Sequence, residues 1–145
     1  MKTSFLAIAT AALFNASAQA QSFELTSPDV AAGSTIAAPY IFNGFGCTGG
    51  NLSPELNWRN APAGIKSFAV MLHDQVAPTG GAGFWHWVAI NLPATTTSLP
   101  RGAGAADGKN LPASARQINT DFGTPGYGGP CPPHAFHKAC SQSAG

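Results

Sequence analysis

The stretch from Ser67 to Pro100 constrains the fold most, because it holds two apolar segments joined by a polar, glycine-rich loop. Between Ser67 and His73, apolar side chains occupy both faces, which is typical of a central β-strand. Trp85 to Leu92 has the same character. The connecting segment, Gln75 to Phe84, contains proline and glycine residues that interrupt strand pairing and form turns. The sequence therefore predicts two neighbouring strands with a loop at one rim of a sheet.

An acid and a histidine flank this loop. Asp74 closes the first strand and His86 opens the second. If the strands pair antiparallel, or lie close in one sheet, both side chains reach the same rim beside Trp85 and form a small polar pocket with apolar walls. Both residues also have a purely structural interpretation. An aspartate at a strand end commonly accepts hydrogen bonds from turn amides, and a histidine among tryptophans is commonly a packed core residue.

The first 20 residues have the pattern of a secretory signal peptide. Lys2 precedes an apolar region from Phe5 to Phe14, and Ala18-Gln19-Ala20 matches the small-residue cleavage pattern, so we expect cleavage after Ala20. The apolar region is too short to span a bilayer core of about 30 Å as a helix. We therefore expect a periplasmic or secreted protein with no transmembrane span in the mature chain, in a compartment where disulfides persist.

The rest of the chain is long enough for one domain with a modest core. Its 17 glycines, 12 prolines and 9% charged residues disfavour long solvated helices. A net charge of +1 without a basic cluster argues against a nucleic-acid partner. The loop at residues 43–53 is too glycine-rich for regular structure, whereas short strands are predicted at residues 22–25, 35–40, 56–58 and 115–120. That order of strands and turns predicts a mostly β fold, a β-sandwich or Greek-key sheet.

Several motifs, in order along the chain, resemble one protein family. They are SPELNW at residues 53–58, APAGIKSFAV at 61–70, HDQVAP at 73–78, WHWV at 85–88, DFG at 121–123 and GYGGPCPP at 126–133. On these motifs the chain is identified as a member of the phosphatidylethanolamine-binding protein family, in its bacterial branch of YbhB/YbcL-type Raf kinase inhibitor-like proteins. The resemblance implies a β-sandwich with Greek-key connections. It also implies a pocket for phosphate-like groups, including a phospholipid head group, with no metal or cofactor.

The resemblance also implies which residues line the pocket. Asp74 matches the first acid of the family's Asp-Pro-Asp-x-Pro motif, and His86 matches the pocket histidine. The glycine- and proline-rich loop that closes the pocket contributes Tyr127, Gly129, Cys131 and Pro132. In this interpretation a ring nitrogen of His86 donates to a phosphate oxygen, and the amides of Gly128 and Gly129 form an anion-binding concavity. Asp74 either orients His86 or meets the ammonium group of ethanolamine.

The chain departs from the family pattern in two places. Gln75 and Val76 replace the proline and the second acid of the acidic motif, which removes one carboxylate from the rim. After Pro133 the match weakens, and it ends after Lys138, whereas the family continues with a further strand and a C-terminal helical segment. We interpret residues 21–133 as a C-terminally truncated domain followed by a divergent tail at 134–145. The alternative is a natural variant whose fold closes differently.

Three cysteines leave the pairing open. Cys47 and Cys131 lie in glycine-rich loops and are predicted to form one disulfide near the pocket, which leaves Cys140 over. Unpaired thiols remain the alternative. A zinc site formed by Cys131, His134, His137 and Cys140 has ligand-like spacing, but exported thiols usually oxidise.

The leading hypothesis is an exported binding protein, not an enzyme. It would hold a phosphate-type or other small anionic group between Asp74, His86 and the loop from Tyr127 to Pro132, without a cofactor. A second hypothesis is a hydrolase in which His86 is the general base, Asp74 orients it and Ser53 or Cys131 is the nucleophile. No Gly-x-Ser-x-Gly elbow supports that chemistry. A third hypothesis is a non-functional fragment.

Overall fold

The computed structural model describes residues 21–131, and every structural statement below concerns that range. The predicted signal peptide, Pro132 and the divergent tail lie outside it. The described chain forms eight strands and one 3-10 turn at Ala38–Tyr40, and no helix in it is long and apolar enough to cross a membrane. The strands are β1 Glu24–Thr26, β2 Asn43–Gly44, β3 Cys47–Thr48, β4 Leu56–Arg59, β5 Ser67–Asp74, β6 Phe84–Pro93, β7 Ser98–Leu99 and β8 Arg116–Gln117. The prediction of a mostly β fold is confirmed.

Two small antiparallel sheets share one core. One sheet has the order β1-β4-β7 and the other the order β5-β6-β8, while β2 and β3 form a separate hairpin. Leu99 from the first sheet and Trp87 and Leu92 from the second are almost fully buried in the same hydrophobic cluster. The apolar faces of the two sheets therefore pack against each other, as in a β-sandwich.

The β5–β6 pair is the longest in the fold and positions the rim. The strands are antiparallel, as the sequence predicted, and Asp74 pairs with Phe84 at the end of the ladder. Among the described strands β5 lies at one edge of its sheet, unlike the central position predicted for it. Within the described residues β6 lies between β5 and β8, so Met71 on the outer face of β5 is 48% exposed.

The core is packed less completely on the β5 side. Phe68, Val70 and Leu72 are only partly buried against the cluster. An apolar cavity of about 50 Å³ lies among them and extends to Trp58 and Trp87. The indole Nε1 of Trp58 is the one buried side-chain nitrogen or oxygen in residues 21–131 without a hydrogen-bond partner, an exception to the usual pairing of buried polar groups.

Two local predictions fail for identifiable reasons. The strand predicted at residues 35–40 ends in a 3-10 turn, because Pro39 lacks an amide donor for strand pairing and its fixed φ suits the first turn of a helix. The loop at residues 43–53, predicted to lack regular structure, contains the β2–β3 hairpin. Its two tip residues, Phe45 and Gly46, both have positive φ, at 53° and 87°, as a two-residue hairpin turn requires.

An ion pair between a buried aspartate and a half-exposed arginine fixes the segment before the 3-10 turn. The Asp29 side chain is only 4% exposed and pairs with Arg101. Its Oδ2 also accepts the Glu55 amide at 2.8 Å. The hydrogen bond from Arg101 holds the pKa of Asp29 well below its usual range despite burial, while burial and the neighbouring Asp29 raise the pKa of Tyr40. This pair ties the chain after β1 to the loop after β7.

Candidate functional site

The end of the β5–β6 pair brings Asp74 and His86 to the same rim. Asp74 is the register partner of Phe84, and His86 lies two residues further along β6. The register shifts between Leu72 and His73 and leaves His86 without a pairing partner in β5, and the rings of Phe84 and His86 lie 5.1 Å apart. Asp74 ends β5 and His86 lies near the start of β6, so both residues are at this rim. The structure thus brings together the two residues singled out from the sequence.

A backbone carbonyl, rather than Asp74, orients His86. The imidazole is 7% exposed, and its Nδ1 lies 2.7 Å from the carbonyl oxygen of Gly128. A carbonyl can only accept, so Nδ1 carries the hydrogen and Nε2 is the nitrogen left for a ligand. Asp74 instead accepts the Val76 amide at 2.9 Å, as a turn residue does. The expectation that Asp74 orients His86 through a hydrogen bond is therefore wrong.

Burial determines the protonation of His86. Removal of the ring from water lowers the pKa of His86 below its usual value. Hydrogen bonding to the backbone of Gly128, the charge of Asp74 and, more weakly, the charge of Asp121 oppose that effect without cancelling it. The ring is therefore neutral at neutral pH.

Aromatic rings enclose the histidine. Phe84 lies 5.1 Å and Phe122 lies 5.6 Å from the imidazole, measured between ring centroids, and the two phenylalanines meet edge to face. On the same rim, His73 stacks on Trp85 at 4.1 Å. The surroundings of His86 at this rim are therefore largely aromatic.

Asp121 also lies at the rim, although the sequence indicated it only as part of the DFG motif at residues 121–123. Its Oδ2 accepts the Trp85 amide at 2.8 Å, which places a second carboxylate near the start of β6. Neither Asp74 nor Asp121 forms a salt bridge with a basic side chain in the described range. The salt bridges there join Arg59 to Glu24, Arg101 to Asp29 and Lys109 to Asp107. The rim therefore carries negative charge that no Lys or Arg neutralises by direct pairing.

The predicted anion-binding concavity is not available. The Gly128 amide donates to the carbonyl of His86 at 2.8 Å. The Gly129 amide donates to the Asn51 side chain, also at 2.8 Å. Both donors are satisfied within the fold, so the prediction that they form a free concavity for an anion is wrong.

Asn51 holds the loop from Gly126 to Cys131 in place, and sequence reasoning missed it. Besides accepting the Gly129 amide, its side chain donates to the carbonyl of Tyr127 at 3.3 Å. Its own φ is 49°, a left-handed conformation that asparagine tolerates better than most residues. Its position after two glycines was the available signal for a special conformation, but nothing in the sequence indicated its partners 76 and 78 residues away.

The remaining predicted loop residues contact the chain near Tyr40 and Cys47. The Tyr127 ring is 8% exposed, and its hydroxyl donates to the carbonyl of Tyr40 at 2.7 Å. A Cβ at Gly129 would lie 2.3 Å from the same carbonyl oxygen, so the close approach requires glycine. Cys131 forms a disulfide with Cys47. Pro132, the last predicted loop residue, lies outside the described residues.

The groups needed for the alternative chemistries are occupied. The Ser53 side chain is buried, and its hydroxyl accepts the Gly104 amide at 2.8 Å. The disulfide removes the Cys131 thiol as a nucleophile and as a zinc ligand. The other three predicted zinc ligands follow residue 131, and the described range holds no cluster of three potential metal ligands.

Comparison with known proteins shows which family and which relatives this chain resembles. The chain matches the family profile described as phosphatidylethanolamine-binding protein over residues 26–140. It is 51% identical over 117 residues to the UPF0098 protein YbcL of Escherichia coli, covering 81% of this chain and 63% of YbcL. With the UPF0098 protein YbhB of the same organism it shares 46% identity over 110 residues, covering 76% and 68% of the two chains. The chain thus spans about two thirds of the length of these relatives.

The structural comparison agrees. The crystal structure of E. coli YbcL, described as a new member of the mammalian PEBP family, superposes with a TM-score of 0.75 at 50% identity, covering 77% of this chain and 67% of YbcL. CT736 from Chlamydia trachomatis superposes with a TM-score of 0.63 at 28% identity, covering 78% and 67%. Profile, sequence and fold agree over most of the described residues, and the chain belongs to the phosphatidylethanolamine-binding protein family.

Proposed function

We propose that the protein binds a small ligand through a phosphate-type or other anionic group placed against His86, as in the head group of phosphatidylethanolamine. Membership of the family supports small-ligand binding. The observation that carries the proposal is the hydrogen bond from His86 Nδ1 to Gly128, because it fixes the ring and leaves Nε2 for the ligand. The rings of Phe84 and Phe122 pack against the imidazole and give it apolar surroundings.

The tautomer of His86 determines how an anion binds. With Nδ1 protonated, Nε2 of the neutral ring accepts a hydrogen bond and cannot donate one. A phosphate monoester such as phosphoethanolamine therefore binds either with its own proton, which is present below a second pKa near 6, or after the ring takes up a proton, whereas a phosphodiester has only the second route. Both routes strengthen binding as the pH falls, so affinity for phosphate-type ligands should rise on mild acidification.

The carboxylates of Asp74 and Asp121 favour a ligand that also carries a positive charge. They stand near His86 and form no salt bridge with a Lys or Arg side chain within residues 21–131, and would repel a phosphate that has no compensating cation. An ammonium group two carbons from the phosphate reduces that repulsion. The ligand class is therefore zwitterionic, like phosphoethanolamine, rather than inorganic phosphate.

Export remains part of the proposal. The predicted signal peptide, residues 1–20, would deliver the protein to the periplasm or the medium, where the Cys47–Cys131 disulfide is stable. Cell fractionation with intact-mass measurement tests this. We expect a chain beginning at Gln21 outside the cytoplasm, and a full-length cytoplasmic chain would contradict export.

Calorimetric titration tests the binding site. We expect phosphoethanolamine to bind more tightly than inorganic phosphate or ethanolamine, and His86→Gln to weaken its binding about 10-fold or more, since a hydrogen bond to a charged group contributes about 1.5–3 kcal/mol. His73→Gln is the matched control, because His73 lies on the same rim but stacks on Trp85. Equal affinity of the wild type and His86→Gln would contradict the proposed site.

A further inference from the structure

A second cavity, of about 280 Å³, is lined in part by Phe122, the ring that also packs against His86. Neither Asp74 nor His86 belongs to its wall, and no charged residue does. The lining consists of Phe42, Phe45, Asn51, Gly104, Ala105, Ala106, Thr120, Phe122, Thr124, Pro125, Gly126, Tyr127 and Gly128. Its volume is just below the range of about 300–1,000 Å³ that is usual for small-molecule sites.

Phe122 and Gly128 separate the cavity from the histidine. Gly128 lines the cavity while its carbonyl accepts from His86. A Cβ at Gly128 would lie 2.1 Å from Cε2 of Phe122, so the phenylalanine ring lies directly on the glycine. Two sites of different chemistry therefore share this partition.

Three phenylalanine rings form the aromatic wall of the cavity. Phe42 lies 4.4 Å from Phe122 and 5.2 Å from Phe45, and the rings of Phe45 and Phe122 are nearly parallel at 6.0 Å. Flat, neighbouring ring faces favour another aromatic ring, which packs offset or edge-on against them.

Phe45 is placed against its own preference. It is 78% exposed at the tip of the β2–β3 hairpin, and its φ of 53° is unfavourable for a residue with a large side chain. Folding gains little burial from a phenylalanine held there, and strained positions concentrate at ligand-binding sites. A ligand ring in the cavity would cover more of this exposed side chain.

Two polar side chains of the wall are held by hydrogen bonds within the fold. The Asn51 side chain bridges Tyr127 and Gly129, and the Thr120 hydroxyl donates to the carbonyl of Thr124 at 3.1 Å and accepts the Phe122 amide. These bonds hold the wall in shape, and the wall offers no charged side chain to a charged ligand. We propose that the cavity is a second binding site, for an uncharged, planar aromatic molecule of one or two rings.

NMR titration of the ¹⁵N-labelled protein tests this site with benzamide and benzoate, which share a shape and differ in charge. We expect saturable benzamide shifts at the amides of residues 126–128, and binding of benzoate at least 10-fold weaker. Phe45→Ala should weaken benzamide binding about 2- to 10-fold, the range for the loss of one aromatic pair. Absence of saturable shifts, or equal binding of benzoate, would overturn the proposal.

Two further variants complete the test. Val76→Ala is the matched control, because Val76 is 87% exposed and apolar but does not line the cavity, so its benzamide affinity should equal that of the wild type. Ala105→Leu places a larger side chain in the cavity wall and should abolish benzamide binding while leaving phosphoethanolamine binding intact. Unchanged benzamide affinity in both Phe45→Ala and Ala105→Leu would place the probe elsewhere. This site does not depend on the proposed function of His86.

Discussion

The two sides of Phe122 differ in charge and in how the chain builds them. On the His86 side, two carboxylates stand near a buried imidazole whose position is set by one backbone carbonyl. On the cavity side there is no charge, and the wall combines rings with the hydrogen-bonded side chains of Asn51 and Thr120. One short segment, residues 126–129, serves both sides. Because this loop borders both regions, its hydrogen bonds hold the two walls in place, and its amides are not available to donate to a ligand.

Loss of the Cys47–Cys131 disulfide should have the largest effect on stability, and mainly in the region around the cavity. Cys47→Ser combined with Cys131→Ser opens a loop of 84 residues that joins the β2–β3 hairpin to the partition. We expect a loss of about 2–5 kcal/mol in the free energy of unfolding, because the unfolded chain gains freedom. Denaturant unfolding with Cys140 retained measures it.

Reduction of the wild type serves as the control for that variant. A reducing agent should lower the unfolding midpoint of the wild type to that of the double variant and leave the variant itself unchanged. Equal midpoints for the oxidised wild type and the double variant would contradict a stabilising disulfide.

Gly128→Ala should disturb both sides at once. The added methyl group collides with the Phe122 ring, and overpacking of this kind costs about 1–3 kcal/mol. We expect weaker binding of both phosphoethanolamine and benzamide, measured by calorimetry and NMR. Gly123→Ala is a control for a nearby glycine, since a Cβ there meets no atom within 4 Å, although its φ of 79° adds backbone strain. Loss of binding on one side alone would contradict a shared partition.

Acid should affect the His86 side through the buried imidazole. Burial lowers the pKa of His86 in the native state, so the unfolded state binds more protons as the pH falls through the ordinary histidine value near 6.5. The free energy of unfolding should therefore decrease on acidification across that range. Thermal melts of the wild type and His86→Gln measure it, and we expect a shallower pH dependence in the variant. Parallel curves would contradict a buried neutral histidine.

The smallest effect should come from the rim charge alone. Asp121→Asn keeps an oxygen acceptor for the Trp85 amide and removes one negative charge. We expect the preference for phosphoethanolamine over inorganic phosphate to fall about 2- to 5-fold, within the range for an exposed charge interaction. Competition binding measures the ratio, with Asp107→Asn, whose carboxylate pairs with Lys109, as the control. An unchanged ratio would remove Asp121 from ligand recognition.

The sequence predicted the parts of the fold that depend on local pattern. Alternating apolar residues and a glycine-rich loop were sufficient to predict the β5–β6 pair and the common rim of Asp74 and His86. The strand predicted up to Tyr40 failed because Pro39 favoured a helical turn. In both cases residues close together in the sequence determined the local structure.

The hydrogen-bond partners within the site could not be predicted in the same way. The Gly128 amide donates to the backbone carbonyl of His86, 42 residues away, and the Gly129 amide donates to the side chain of Asn51, 78 residues away. Partners at that separation leave no local signature in the sequence. The edge position of β5 is likewise a property of how strands are ordered, which apolar composition alone does not determine. The prediction of free anion-binding amides failed for this reason.

The role of His86 is decided by phosphoethanolamine binding to the wild type and to His86→Gln, measured at pH values on both sides of the ordinary histidine pKa. We expect the wild type to bind more tightly at the lower pH, and the variant to bind about 10-fold or more weakly and to lose most of that pH dependence. Identical affinities and identical pH dependence in the two proteins would show that His86 does not hold the ligand.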